Sequence, residues 1–197
     1  MEFHPQKCNI MHITRAKRSR IPLCTYSLRG HDLDSVDSAT YLGINFSKDL
    51  SWDIHVDKIT KKANKTLGFL KRNVRTNSQT CKERAYRAMV RPVLEYCSPA
   101  WDPYQQNQIN KIEMVQRRAA RYVCNRYHNR SSVTSMLDDL GWESLQERRA
   151  KLRLCMMYKI VHGLVAIPYQ EYFTSARTRT RQNHNFCVFR PYASTNY

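Results

Sequence analysis

The sequence predicts an α+β fold that is mainly helical, with short N-terminal antiparallel strands followed by a bundle of about five helices. Three observations predict it. The apolar period changes at Trp52 from about two to between three and four, helix-capping signals recur beyond that point, and only 5 glycines interrupt 197 residues.

Residues 1–50 read as strands and turns. Cys8-Asn9-Ile10-Met11-His12-Ile13 alternates loosely, Thr25-Tyr26-Ser27-Leu28 has strand composition, and Tyr41-Leu42-Gly43-Ile44-Asn45-Phe46 is aromatic and apolar at strand length. Arg29-Gly30 offers a hairpin turn into His31, Asp32 and Leu33. These strands bury too little surface alone and need a helical layer.

The first helix is expected over residues 53–75, about 34 Å long, with Ser51 as N-cap and Asp53 favouring the first turn. Ile59, Ala63, Leu67, Leu70 and Val74 form its apolar stripe; Lys58, Lys61, Lys62, Lys65, Lys71, Arg72 and Arg75 lie opposite. Thr80 and Glu83 have capping-box spacing and open a second helix through Tyr86, Met89, Val90, Val93 and Leu94. Pro92 should kink or break it, since proline removes a donor and crowds the preceding turn.

A third helix spans residues 106–127, with Ile109, Ile112, Val115, Ala119 and Val123 inside and Lys111, Arg117, Arg118 and Arg121 outside. Ser131 or Ser132 caps a short fourth, ended by Gly141. Ser144 and Glu147 form a capping box for a fifth, with Leu152, Leu154, Met157, Ile160 and Val161 as its stripe and Arg148, Arg149, Lys151 and Arg153 alongside. Gly163 and Pro168 mark its end, and beyond Ala176 a polar, basic, disordered tail is expected. The domain reading is strands over 1–50, helices over 51–170 and a basic tail over 171–197.

Lys and Arg total 33 against 16 Asp and Glu, a formal charge of +17 with a pI near 9.8. The excess is clustered on helix faces, which points to a polyanionic partner. No apolar run approaches the roughly 20 residues of a spanning helix, so a membrane partner is not expected. The N-terminus lacks a signal peptide's apolar core, so an intracellular location, nucleus or cytoplasm, is expected. The 7 cysteines contain no C-x-x-C pair; they read as reduced core filling and not as a zinc site.

Several segments resemble, in order, the C-terminal part of the reverse transcriptase of non-LTR (LINE-type) retrotransposons, jockey and chicken-repeat types being nearest. Phe3-His4-Pro5-Gln6-Lys7-Cys8 resembles the lysine motif that follows the catalytic palm turn, with His4 in place of the usual Asn. Tyr41-Leu42-Gly43-Ile44 resembles the primer grip. Asp49 to Arg72 looks like the first thumb helix, and Val90-Arg91-Pro92-Val93-Leu94-Glu95-Tyr96-Cys97-Ser98-Pro99-Ala100-Trp101 resembles the family's R-P-x-L-E-Y-x-x-x-x-W signature. Glu113 to Val123 and Leu140-Gly141-Trp142-Glu143-Ser144-Leu145 follow at the usual distances.

The resemblance implies that residues 1–50 end a palm and that the helices form a thumb. It implies nucleic acid as partner, an RNA–DNA hybrid or DNA, together with the palm and fingers of a complete polymerase. Lys7 would stand at the palm lysine, Tyr41, Leu42 and Gly43 at the primer grip, and Lys58, Lys61, Lys62, Lys65, Lys71, Arg72, Arg117, Arg118 and Arg121 along the phosphates. The family holds two Mg²⁺ ions on palm aspartates, and the motifs carrying them are not in this sequence. No metal, cofactor or polymerisation by this chain alone is therefore expected. A basic DNA-binding or regulatory module derived from a transposon, or a non-functional gene fragment, remain as other readings.

Other constellations are weaker. His55-Val56-Asp57 has the H-x-D spacing of an iron site, but residues two apart on a helix point about 200° apart and cannot share one ion. His55 reads as packed or capping, and Asp138-Asp139 as a solvated helix surface. His128 and His162 lack a nucleophile or carboxylate arrangement. Tyr96, Trp101, Tyr104, Tyr122 and Tyr127 interleave with arginines in a way compatible with base stacking, although most are expected in the core.

Overall fold

The computed structural model describes residues 4–13, 25–128 and 131–173. Most of the expected basic tail, residues 174–197, lies outside the described residues.

The strands pair two by two in three small sheets, two antiparallel as expected and one parallel. A 3-10 turn (Pro5–Lys7) leads into β1 (Asn9–Ile10), which pairs parallel with β4 (Asp34–Ser35). The antiparallel pair β2 (Ser27–Leu28) and β3 (His31–Asp32) turns through Arg29 and Gly30, both at positive φ, as the Arg-Gly step predicts. The stretch 41–46, read above as one strand, is instead a hairpin: β5 (Ser38–Tyr41) and β6 (Ile44–Ser47) are joined by Leu42 and Gly43, at φ 47° and 85°. Two successive positive φ values match the right-handed twist of the flanking strands, which is why the chain reverses there.

The helices are α1 (Asp53–Asn73), α2 (Gln79–Met89), α3 (Arg91–Glu95), α4 (Gln106–Cys124), α5 (Val133–Asp139), α6 (Leu145–Val161) and α7 (Tyr169–Tyr172). Pro92 does break the second expected helix, and α3 restarts with the proline in its first turn, where no helical N–H is lost. Two caps shift. Trp52 and not Ser51 precedes α1, with Asp53 in the first turn, while Ser78 caps α2 by accepting from Cys81 N–H. Glu83 is thereby freed from the capping box predicted with Thr80 and accepts from Trp142 Nε1 at 2.9 Å. Ser132 caps α5, and the Ser144–Glu147 capping box forms in full. Asn125, in the left-handed region, ends α4 before residue 127.

One core joins these elements. Ile59, Ala63, Leu67 and Leu70 of α1 meet Ile112, Val115, Ala119 and Val123 of α4, with Tyr86, Leu94, Trp101, Met136 and Leu145 closing the sides. Burying each large apolar side chain contributes about 1.5–3 kcal/mol. The helices α1 and α4 run parallel: Asp53 pairs with Gln108, Asp57 with Lys111, Asn64 with Arg118, and the Leu70 and Val74 carbonyls with the Tyr122 hydroxyl.

The helix α6 departs from its spacing. Arg149 is 0 % exposed, its Nε donating to Asp102 at 2.9 Å, while Leu154 of the expected inward stripe is 71 % exposed. The buried guanidinium pairs with a carboxylate just after Trp101, so the inward face of α6 includes Arg149. The cysteines also differ from expectation: of those described, Cys81, Cys97 and Cys155 are exposed, and Cys8 and Cys124 are half-buried. No helix among the described residues is long and apolar enough to cross a membrane.

Candidate nucleic-acid interface

The outer face of α1 follows from its period. At about 100° per residue, Lys61, Arg72, Lys65, Lys58 and Lys62 fall within an arc of about 100°, opposite Ala63. From Lys58 to Arg72 this row rises about 21 Å. The parallel packing of α4 sets Arg118 on the flank toward α1, with Arg121 and then Arg117 further round. Arg118 Nη1 donates to Asn64 Oδ1 at 3.0 Å, which brings the two rows edge to edge.

All nine cations named from the sequence on these helices are exposed. None takes part in an ion pair among the described residues. Those pairs engage Lys48, Arg87, Arg91, Lys111, Arg126, Arg148, Arg149, Lys151 and Arg153 instead. At the seam, partial burial and then the Arg118 charge hold the Lys71 ammonium below its ordinary pKa. Two cations crowded together without a carboxylate form a place where an anion is favoured.

The second part of the site is a cleft of about 500 Å³ beside this row, lined by Leu42, Gly43, His55, Lys58, Ile59, Lys62, Pro92, Val93 and Tyr96. Its lining is mostly apolar and includes two exposed lysines. Lys58 Nζ also donates to Thr40 Oγ1 at 3.2 Å, tying α1 to β5.

The hairpin tip is held from two sides. Asn45 N–H donates to His55 Nδ1 at 3.2 Å, and the Tyr96 hydroxyl donates to the Leu42 carbonyl at 3.3 Å. A side-chain carbon at Gly43 would stand 3.3 Å from Tyr96 Cε1, so glycine is needed both for its positive φ and for this approach. His55 lies edge-on to Trp101 with ring centroids 4.6 Å apart, and Trp101 Nε1 donates to the Tyr96 carbonyl at 2.8 Å. Burial, then the Lys58 charge, pushes the His55 pKa below its usual value. As a neutral acceptor in the core, His55 is a packing residue, and no group of three or more metal-ligating side chains occurs among the described residues.

Of the residues singled out from the sequence, Leu42, Gly43, Lys58 and Lys62 come together at the cleft, and the remaining α1 and α4 cations extend from it. Tyr41 is exposed on the same hairpin without lining the cleft. Lys7 is exposed in the N-terminal 3-10 turn and does not line it either. Tyr96, named above for its segment and for base stacking, lines the cleft as well, and its contact with the hairpin is what the sequence did not show. Of the aromatic residues named above, Trp101 and Tyr122 are buried, whereas Tyr96, Tyr104 and Tyr127 are exposed. Searches of protein-family models, curated proteins and solved structures each returned no match to this chain.

Proposed function

We propose that this chain grips a nucleic-acid duplex along its phosphates, as the thumb of a LINE-type reverse transcriptase would, with the Leu42–Gly43 tip beside a strand end. The observation that carries this reading is the division of its cations: the nine on α1 and α4 are exposed and form no ion pair among the described residues, while Arg148, Arg149, Lys151 and Arg153 of α6 do. A solvated row of like charges repels itself. It is stabilised when a polyanion replaces its counterions.

The reading assigns this chain a grip and no bond-making step. Asp138 and Asp139 are both exposed, and Asp139 is engaged by Arg126 at 2.9 Å. Phosphate contacts fix orientation without reading sequence, so the partner is a duplex of any sequence, an RNA–DNA hybrid or DNA. Fluorescence anisotropy of labelled hybrids tests this directly. Saturable binding of similar strength to unrelated sequences is expected, and failure to bind either hybrid or duplex DNA at low salt would remove the proposal.

A further inference from the structure

A second cavity, of about 250 Å³, opens between α2, α3, the turn after α5 and the start of α6. We propose that it binds a phosphoryl group. Three arginines from three elements line it: Arg87 of α2, Arg91 of α3 and Arg148 of α6. The wall beside them is Tyr86 stacked on Trp142, with ring centroids 4.4 Å apart and planes 17° from parallel.

Each of the three arginines has a carboxylate partner, but those carboxylates take only part of their N–H groups. Glu95 accepts from Arg148 through both oxygens, from Nε and from Nη2. Arg91 Nε stands 3.7 Å from the same carboxylate, outside hydrogen-bond range, and Arg91 donates no hydrogen bond among the described residues. Its side chain is nonetheless only 27 % exposed. Its N–H groups reach solvent and are open to an acceptor that enters the cavity. Arg87 shares Glu83 with Trp142 Nε1, and Glu143, which also lines the cavity, is paired with Lys151 at 2.6 Å. The Tyr86 hydroxyl is already given to Gln116 Oε1. The lining therefore carries more guanidinium N–H donors than its carboxylates accept, and guanidinium forks suit tetrahedral oxyanions.

The site is separate from the cation row. On α4, Arg118 reaches α1 while Gln116 reaches the Glu143 carbonyl, so the cavity lies on the other flank. The inference does not depend on the thumb reading. The phosphoryl group has two sources, a free nucleotide or a backbone phosphate.

Titration of the full chain with inorganic phosphate, followed by ³¹P NMR against chloride at equal ionic strength, tests it. Saturable binding is expected, weakened about tenfold or more in Arg91→Gln and in Arg87→Gln and retained in Lys61→Glu. The Arg87 substitution, at a half-exposed side chain, serves if Arg91→Gln disturbs folding by circular dichroism. Displacement of phosphate by adenosine monophosphate but not by an RNA–DNA hybrid assigns the free nucleotide, and displacement by the hybrid assigns the backbone. A linear, unsaturable response, or saturation untouched by both arginine variants and lost in Lys61→Glu, overturns the site.

Discussion

Arg118 donates a hydrogen bond of 3.0 Å to the side chain of Asn64, and that bond joins the cation rows of α4 and α1, whose helices are held side by side by their common core. Like charges this close are tolerated on a surface only because water and counterions screen them. The same closeness is what lets two rows act on one polyanion.

Replacing Lys61, Lys62 and Lys65 together by Glu should lower affinity for an RNA–DNA hybrid by at least about a hundredfold. All three are exposed, so thermal unfolding should change by no more than about 0.5 kcal/mol. Anisotropy and circular dichroism on the same sample separate the two effects.

Leu42 is 72 % exposed and sits at φ 47°, a conformation that costs a β-carbon-bearing residue about 1–2 kcal/mol. Leu42→Asn should therefore raise the urea midpoint while weakening hybrid binding, because the tip loses an apolar contact surface. Gly43→Ala should lower the midpoint by about 1–2 kcal/mol of stability, through positive φ and the encroachment on Tyr96. A Leu42→Asn protein that binds as tightly as the original would separate the hairpin tip from the interface.

Asp102 is the counterion of buried Arg149, whose Nη1 and Nη2 have no hydrogen-bond partner among the described residues. Asp102→Ala should cost about 3–5 kcal/mol in urea unfolding, since it strands a buried charge. The exposed pair Arg126–Asp139 offers the control, and Asp139→Ala should cost less than about 1 kcal/mol.

His55 has a folded-state pKa below its unfolded value of 6.5. Between those two values the unfolded chain binds more protons, so stability is full above about pH 6.5 and declines as the pH falls through this window. Urea midpoints measured from pH 7.5 down to 5.5 should fall, and the fall should shrink in His55→Gln, which keeps an acceptor for Asn45 N–H. An unchanged slope in the variant would assign the pH dependence to other groups.

The long helices were legible because one signal served twice: the spacing that buries Ala63 and Leu67 also turns Lys61 and Lys65 outward. The α6 face was misread because Arg149 counts as polar in any periodic pattern, and its partner Asp102 lies 47 residues away. The hairpin at Leu42 was read as strand because leucine is a poor left-handed residue, and what compensates it is tertiary. Tyr96, which supplies part of that support, stands 54 residues from Leu42. Its place in the Val90 to Trp101 segment was the available signal, but no local spacing connects it to the hairpin.

The measurement that bears most directly on the cation rows is the dependence of hybrid affinity on salt, from about 50 to 200 mM. With five to nine of the cations on phosphates, log K should fall against log salt with a slope of about −4.5 to −8, and the Lys61, Lys62 and Lys65 reversal should flatten it. A slope near zero, or one the reversal leaves unchanged, would contradict the account.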